Sequence, residues 1–115
     1  MSVLDIILIE EIIDSPVTVN TDFTSDSIDI SWREGEFSVQ VVYDNGSSVD
    51  MDLILEVSGD NVNFSPMETQ NVTDNDGSHI WDVSGTGTSF LRVSIIVNSG
   101  SMDVQRILYQ AKRRH

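Results

Sequence analysis

The chain has 115 residues and a mass of 12.8 kDa, the size of one domain that can bury a core without disulfides or metal ions. It contains no cysteine and two histidines. This excludes a disulfide framework, a thiolate zinc site, an iron–sulfur cluster, a cysteine nucleophile and a histidine-rich metal site. No segment has the roughly 18 apolar residues of a transmembrane helix. No basic residue precedes the first apolar run, so we expect no signal peptide.

The net charge of −13 is distributed unevenly. Residues 1–91 hold 18 acidic residues and one basic residue, whereas residues 92–115 hold one acidic and five basic residues. The acidic body would repel nucleic acid and anionic lipid, so we expect neither as a partner. The basic end at residues 112–115 either solubilises the terminus or contacts an acidic surface, such as that of a neighbouring copy.

Residues 1–14 form a β-branched apolar run that ends at Ser15-Pro16. Its acidic residues do not alternate cleanly with the apolar ones. The run is either a core or edge strand of the same sheet or an arm that pairs with the sheet edge of another subunit. Exposed and unpaired, a strand of this composition would aggregate, so it must be covered.

Alternating apolar residues predict three strands in the next part of the chain, at Ser27–Trp32, Phe37–Tyr43 and Met51–Val57. Asn45-Gly46 lies between the second and the third of them. Because this dipeptide tolerates positive φ at both positions, it predicts a tight hairpin turn. Ser58–Asn61 predicts the turn that follows.

The second half repeats this pattern with strands at Met67–Val72, His79–Val83, Phe90–Val97 and Met102–Gln110. Turn residues at 74–77, 84–88 and 98–101 separate them. In the last strand the apolar phase slips near Arg106, which predicts a β-bulge.

Short alternating strands with a turn about every ten residues, and no helical pattern, predict an all-β protein: an antiparallel β-sandwich of jelly-roll type with seven to eight strands. The predicted organisation is a strand or docking arm at 1–14, the sandwich at 15–111 and a basic tail at 112–115. The residues expected in the core are Trp32, Val39, Val41, Leu53, Leu55, Leu91, Val93 and Ile95.

The sequence offers little for catalysis, and we predict no catalytic residues and no cofactor. His79 borders a turn, with no serine or cysteine placed as an evident nucleophile. Asp74-Asn75-Asp76-Gly77 fails the EF-hand spacing because a valine would occupy the first ligand position. Asp74, Asp76 and Asp82 are weak candidates for a looser metal site, and a simple turn is the favoured interpretation.

Two aromatic residues, Phe64 and Trp81, are candidates for stacking against a sugar ring. Most in-phase aromatic residues of a β-sandwich belong to the core, and Trp32 and Tyr43 fit that role best. Phe64 lies in a turn-rich stretch instead.

From residue 28 to residue 112, about three quarters of the chain, the order of motifs resembles a family of small β-sandwich structural proteins of tailed bacteriophages. The motifs that carry the resemblance are Gly59-Asp60-Asn61-Val62-Asn63-Phe64, Ile80-Trp81-Asp82-Val83, Phe90-Leu91-Arg92-Val93, Asn98-Ser99-Gly100-Ser101 and Lys112. The same features are more weakly similar to discoidin-type jelly rolls, which bind sugars or lipids. Arg92 lies on the face of its strand opposite Leu91 and Val93, and we expect a structural pairing with a carboxylate on a neighbouring strand, such as Asp82 or Asp103.

The phage resemblance implies a non-enzymatic virion protein, and we favour a capsid decoration or accessory role as a homo-oligomer bound to capsid, neck or tail proteins. The alternative is a carbohydrate-binding module of a tail or fibre. The residues expected to contact other subunits lie at the two ends of the chain: Val3, Leu4, Ile6, Leu8, Ile12, Ile13, Lys112, Arg113 and Arg114.

Overall fold

The computed structural model describes residues 5–13, 15–31, 36–84 and 88–114, with the side chains of all these residues except 5–8 and 112–114. Within these ranges the chain forms strands and no helix. The eight strands are β1 (Asp5–Ile13), β2 (Val17–Val19), β3 (Phe23–Thr24), β4 (Ile28–Asp29), β5 (Phe37–Ser58), β6 (Ser65–Val72), β7 (Gly77–Val83) and β8 (Phe90–Arg114).

Two long antiparallel strands, β5 and β8, organise the whole molecule. They pair from Phe37–Ala111 at one end to Ser58–Phe90 at the other. Two shorter strands, β7 and β6, pair one after the other with the side of β5 that faces away from β8. The four strands β1 to β4 likewise pair one after the other with the side of β8 that faces away from β5. The sheet is therefore four strands wide and antiparallel throughout.

This long sheet is folded across its middle into two layers. A straight strand of 25 residues, the length of β8, would span about 80 Å at about 3.3 Å per residue, but the longest dimension of the molecule is 52 Å. The first sheet contains β1, β2, residues 102–114, residues 37–44 and β7, and the second contains β3, β4, residues 90–97, residues 51–58 and β6. The predicted antiparallel sandwich of jelly-roll type is thereby confirmed.

One hydrophobic core lies between the two sheets and includes residues from both. Alternation along β5 and β8 places every second side chain inside. Seven of the eight predicted core residues are fully buried: Val39, Val41, Leu53, Leu55, Leu91, Val93 and Ile95. The eighth, Trp32, lies outside the described residues.

The predicted hairpin at Asn45-Gly46 is wrong. Asn45 has the positive φ of 52° that the dipeptide favours, but the chain does not reverse there. β5 continues, and its pairing with β8 resumes after bulges, with Ser47 opposite Ser101. The turn predicted at residues 98–101 is likewise a bend within β8. Both turn motifs carry their strand from one sheet to the other.

The bend is held by contacts between all the segments that cross it. The Gly46 amide donates to the Asn75 carbonyl at 2.8 Å, and Ser99 Oγ donates to the Ser48 carbonyl at 3.1 Å. Gly100, with φ of 79°, lies so close to the backbone of β5 that a Cβ atom there would collide with the Ser47 and Ser48 carbonyl oxygens. Glycine is thus required at this position of the bend.

The bulge predicted near Arg106 is confirmed. Val42 pairs with Arg106 and Tyr43 pairs with Val104, so Gln105 is the extra residue of β8. Its side chain donates to Asp44 Oδ1 at 2.7 Å. The strand predicted at Ser27–Trp32 is reduced to the two residues of β4, although Ile30 is buried as its alternation implied.

Candidate functional site

The two ends of the described chain form one two-stranded ribbon. β1 pairs with the end of β8 in the register Asp5–Arg114 and Ile7–Lys112. β5 begins opposite Ala111, so residues 112–114 and their β1 partners extend beyond the neighbouring strand. The sequence thereby places three basic residues on the extension of an otherwise acidic body.

The residues predicted as subunit contacts have different positions in this ribbon. Val3 and Leu4 lie outside the described residues, while Ile6 and Leu8 are part of β1 by their backbone. Ile12 is buried and belongs to the core. Ile13 is half-buried against that core, so the side chains of Ile12 and Ile13 stabilise the chain's own sandwich.

The opposite end of the sandwich, where the sheet bends, is acidic. Asp103 accepts hydrogen bonds from Thr18 Oγ1 at 2.8 Å and Asn45 Nδ2 at 3.1 Å. These bonds lower the pKa of Asp103. The acidic residues in or beside the bend are Asp22, Asp44, Asp50, Asp74, Asp76 and Asp103. The tip of the terminal ribbon, residues 112–114 with their β1 partners 5–7, holds three basic residues and one acidic residue, whereas the bend is acidic.

The outer face of the first sheet exposes an apolar stripe across four neighbouring strands. Ile9 on β1 is 62% exposed and Ile80 on β7 is 52% exposed. Leu108 and Val42, both half-buried, lie between them on β8 and β5. On the same face Arg106 forms an ion pair with Glu11. In the sequence this stripe is indicated by Ile80 and Leu108, which are apolar although they occupy the outward positions of the alternating pattern, next to buried residues.

Phe64 and Arg92 form a fixed contact on the outer face of the second sheet. The Arg92 guanidinium lies 4.0 Å from the centroid of the Phe64 ring, and Arg92 Nε donates to Glu56 Oε1 at 2.9 Å. The predicted pairing of Arg92 with a carboxylate on a neighbouring strand is confirmed, but the partner is Glu56 and not Asp82 or Asp103.

The loop that carries Phe64 is ordered by one carboxylate. Asp60 accepts hydrogen bonds from the Asn63 and Val62 amides at 2.8 and 2.9 Å, and from the Asn63 side chain and the Ser58 hydroxyl. These bonds lower the pKa of Asp60 far below its usual range. The loop therefore holds Phe64 against Arg92, which covers one face of the ring.

Trp81 is 6% exposed and lies in the core. Its ring meets that of His79 edge to face, with centroids 5.0 Å apart. A side chain buried to this extent offers no ring face to a sugar, so Phe64 is the partly exposed member of the two predicted stacking candidates.

Burial lowers the pKa of His79, and Glu68 opposes this change. Because the folded chain binds a proton at His79 less readily than the unfolded chain, its contribution to stability is lost as the pH falls through about 6.5. We expect the difference in unfolding free energy between wild type and His79→Gln to shrink as the pH falls from 8 to 5. Urea denaturation at several pH values measures it, and a constant difference would contradict this expectation.

The three aspartates considered for a metal do not form a site together. Asp74 and Asp76 lie in the bend, whereas Asp82 is on β7 opposite Ser38. In the part of the chain that the structure describes, no group of three or more His, Cys, Asp or Glu residues is placed to hold a metal ion. The same ranges contain no helix long and apolar enough to cross a membrane.

No protein-family model and no curated protein sequence matches the chain. Solved structures that are similar to it include two from infectious bursal disease virus. The VP2 subviral particle of infectious bursal disease virus matches with a TM-score of 0.54 and 10% identity over 96% of this chain and 37% of the VP2 chain. The Gt strain of the same virus matches with a TM-score of 0.46 and 10% identity over 95% of this chain and 36% of the other. The chain thus spans little more than a third of these neighbours, and the likeness is one of fold.

Proposed function

We propose that the chain is a non-enzymatic structural protein of a virion. The observation that carries this proposal is the complete jelly-roll sandwich, similar over 96% of the chain to part of a protein from a viral particle. The resemblance of residues 28–112 to structural proteins of tailed phages supports it from sequence motifs. Shell and accessory proteins need a rigid, repeated unit, and a closed two-layer sandwich supplies one.

Within that class, the proposed role is a capsid decoration or accessory protein of a tailed bacteriophage, present in many copies. The basic residues 112–114 extend beyond the neighbouring strand on the terminal ribbon, and the acidic bend lies at the opposite end of the sandwich. This charge layout supports docking of the ribbon on an acidic surface of the particle or of a neighbouring copy, with the bend facing solvent. The proposed subunit contacts are Ile6, Leu8, Lys112, Arg113 and Arg114 on the terminal ribbon, together with Val3 and Leu4, which lie outside the described residues.

The test of the proposed role is the composition of the particle. We expect mass spectrometry of purified particles from the phage or prophage that encodes the chain to detect it in many copies. Electron-microscopy maps of particles made without the chain should lack the surface density that its copies occupy in particles made with it. Absence of the chain from purified particles would overturn the proposed function.

The contribution of the terminal ribbon to docking is tested by removing its basic charges. Replacing Lys112, Arg113 and Arg114 together by serine is expected to leave the melting temperature nearly unchanged and to weaken incorporation most at low salt, where attraction between exposed charges is strongest. The matched control is Arg92→Ser, which removes one basic residue from the same strand, away from its end and on the outer face of the second sheet. Equal incorporation of all the variants would place the docking surface elsewhere.

A carbohydrate-binding module of a tail or fibre is the less supported alternative. It needs exposed aromatic platforms, and the partly exposed Phe64 already has one ring face against Arg92. Wild type and Phe64→Ala binding equally weakly to a glycan array would end this alternative.

A further inference from the structure

We infer that two copies of this chain associate through the outer face of the first sheet. This inference rests on the proposed structural role, which needs repeated contacts between copies. The surface is made by the outward side chains of residues 38–42 of β5 and by their partners on β8, β1 and β7.

The first argument is the shape of the apolar stripe. Ile9 and Ile80 lie on the strands at either edge of the sheet, and Leu108 and Val42 connect them diagonally across the two central strands. Cross-strand diagonal neighbours are about 7–8 Å apart, within reach of aliphatic side chains. The two edge isoleucines remain more than half exposed. Burying them against an apolar partner removes this surface from water.

The second argument is charge. The chain carries −13, so two copies repel each other wherever unpaired acidic groups meet. On this face the central strands present Ser38, Gln40, Val42, Leu108 and Gln110, all uncharged. The basic side chain among them, Arg106, is paired with Glu11. The acidic residue Asp82 lies on the edge strand β7, away from the two central strands.

The outer face of the second sheet is less suited to meeting a copy of itself. On its central strand β5, Glu56 is paired with Arg92, but Asp50 and Asp52 are bridged by the uncharged side-chain amide of Asn71, with hydrogen bonds of 2.9 Å to each. Two such faces in contact would bring these carboxylates together. Ile96, the exposed large apolar residue of this sheet, is 37% exposed, less than Ile9 or Ile80.

The size of the proposed surface indicates a weak dimer. Four strands about 4.8 Å apart and seven residues long at about 3.3 Å per residue cover roughly 400 Å² per copy. A typical stable interface buries about 800 Å² per partner. We therefore expect a dimer that forms with rising protein concentration and that many copies on one particle would reinforce.

The first experiment compares four variants that each add one negative charge at an exposed aliphatic residue. Sedimentation equilibrium of the full chain is expected to show a monomer–dimer equilibrium. Ile80→Asp and Ile9→Asp should raise its dissociation constant about tenfold or more. Ile96→Asp, on the second sheet, and Val62→Asp, in the loop after β5, should change it less than about threefold. Val62 is 77% exposed, the most of the four, so an effect of exposed apolar surface alone would be largest there.

A second experiment uses the absence of cysteine in the chain. Gln40→Cys places one thiol at the centre of the proposed surface, and Thr69→Cys places one on the outer face of the second sheet. Mild oxidation is expected to cross-link the first variant into a disulfide-bonded dimer and to leave the second mostly monomeric. Each thiol loses one electron and one proton to the added oxidant as the S–S bond forms.

A wild-type chain that stays monomeric at all accessible concentrations would overturn the inference. So would equal effects of the four aspartate variants, or more efficient cross-linking through Thr69→Cys than through Gln40→Cys. These results are distinct from a failure of the proposed function. A monomer in solution that is nevertheless found in purified particles removes this surface alone, whereas a dimer that is absent from particles removes the virion role alone.

Discussion

Replacing Gly100 by alanine is expected to destabilise the fold by about 2–5 kcal/mol. The positive φ of this residue costs a residue with a Cβ atom about 1–2 kcal/mol, and the close backbone approach adds an overpacking cost of about 1–3 kcal/mol. The new Cβ would collide with two carbonyl oxygens of β5, those of Ser47 and Ser48, so the backbone at the bend would have to shift. Urea denaturation followed by circular dichroism measures the loss.

Gly59→Ala is the matched control for this substitution. No atom lies within 4 Å of a Cβ built at Gly59, and its φ is not in the left-handed region. We expect its unfolding free energy to stay within about 0.5 kcal/mol of wild type. Similar losses from both alanines would mean that the close approach of β8 to β5 at the bend contributes nothing specific to stability.

Truncating the centre of the core is expected to have an effect of the same size. Leu55→Ala and Ile95→Ala each remove aliphatic groups from a fully buried side chain. Such changes cost about 2–5 kcal/mol through lost burial and the cavity left behind. Chemical denaturation of the two variants measures it.

Ile96→Ala provides the comparison on the same strand. Ile96 follows Ile95 directly but points to the outer face of the second sheet, where it is 37% exposed. Its truncation should cost less than about 1 kcal/mol. If Ile96→Ala destabilised the chain as much as Ile95→Ala, the assignment of the two faces of β8 would be reversed.

The sequence was sufficient to predict which side of each long strand faces the core. Leu53 and Leu55 alternate with Asp52 and Glu56, and this period-2 pattern is fixed by the pleat of the strand. The bulge at Gln105 was predictable for the same reason, since it shifts the phase of the apolar residues in a visible way.

The course of the chain at the bend was not predictable in this way. Asn45-Gly46 supplies positive φ, and the same conformational freedom serves either a reversal or a bulge. The choice depends on the partner strand, because Gly100 of β8 fits against Ser47 and Ser48 of β5. That contact joins residues about fifty positions apart, which local pattern does not encode.

The candidate surfaces were predictable only in part. The charge contrast between residues 1–91 and the end of the chain is a property of composition and was found directly. The stripe from Ile9 to Ile80 depends on four strands lying side by side. The partner of Arg92 depends on the register that sets Glu56 opposite it. Neither the stripe nor the pairing follows from one strand taken alone.

The position of β8 also determines when the fold can form. β1, β2, β3 and β4 pair with β8, which is synthesised after all the other strands that the structure describes. Until it is made, residues 5–29 lack the neighbour that completes their hydrogen bonds. Such a topology has a high contact order, so we expect the chain to fold slowly. For that interval the apolar start of the chain depends on dilution or a chaperone to avoid association with other nascent chains.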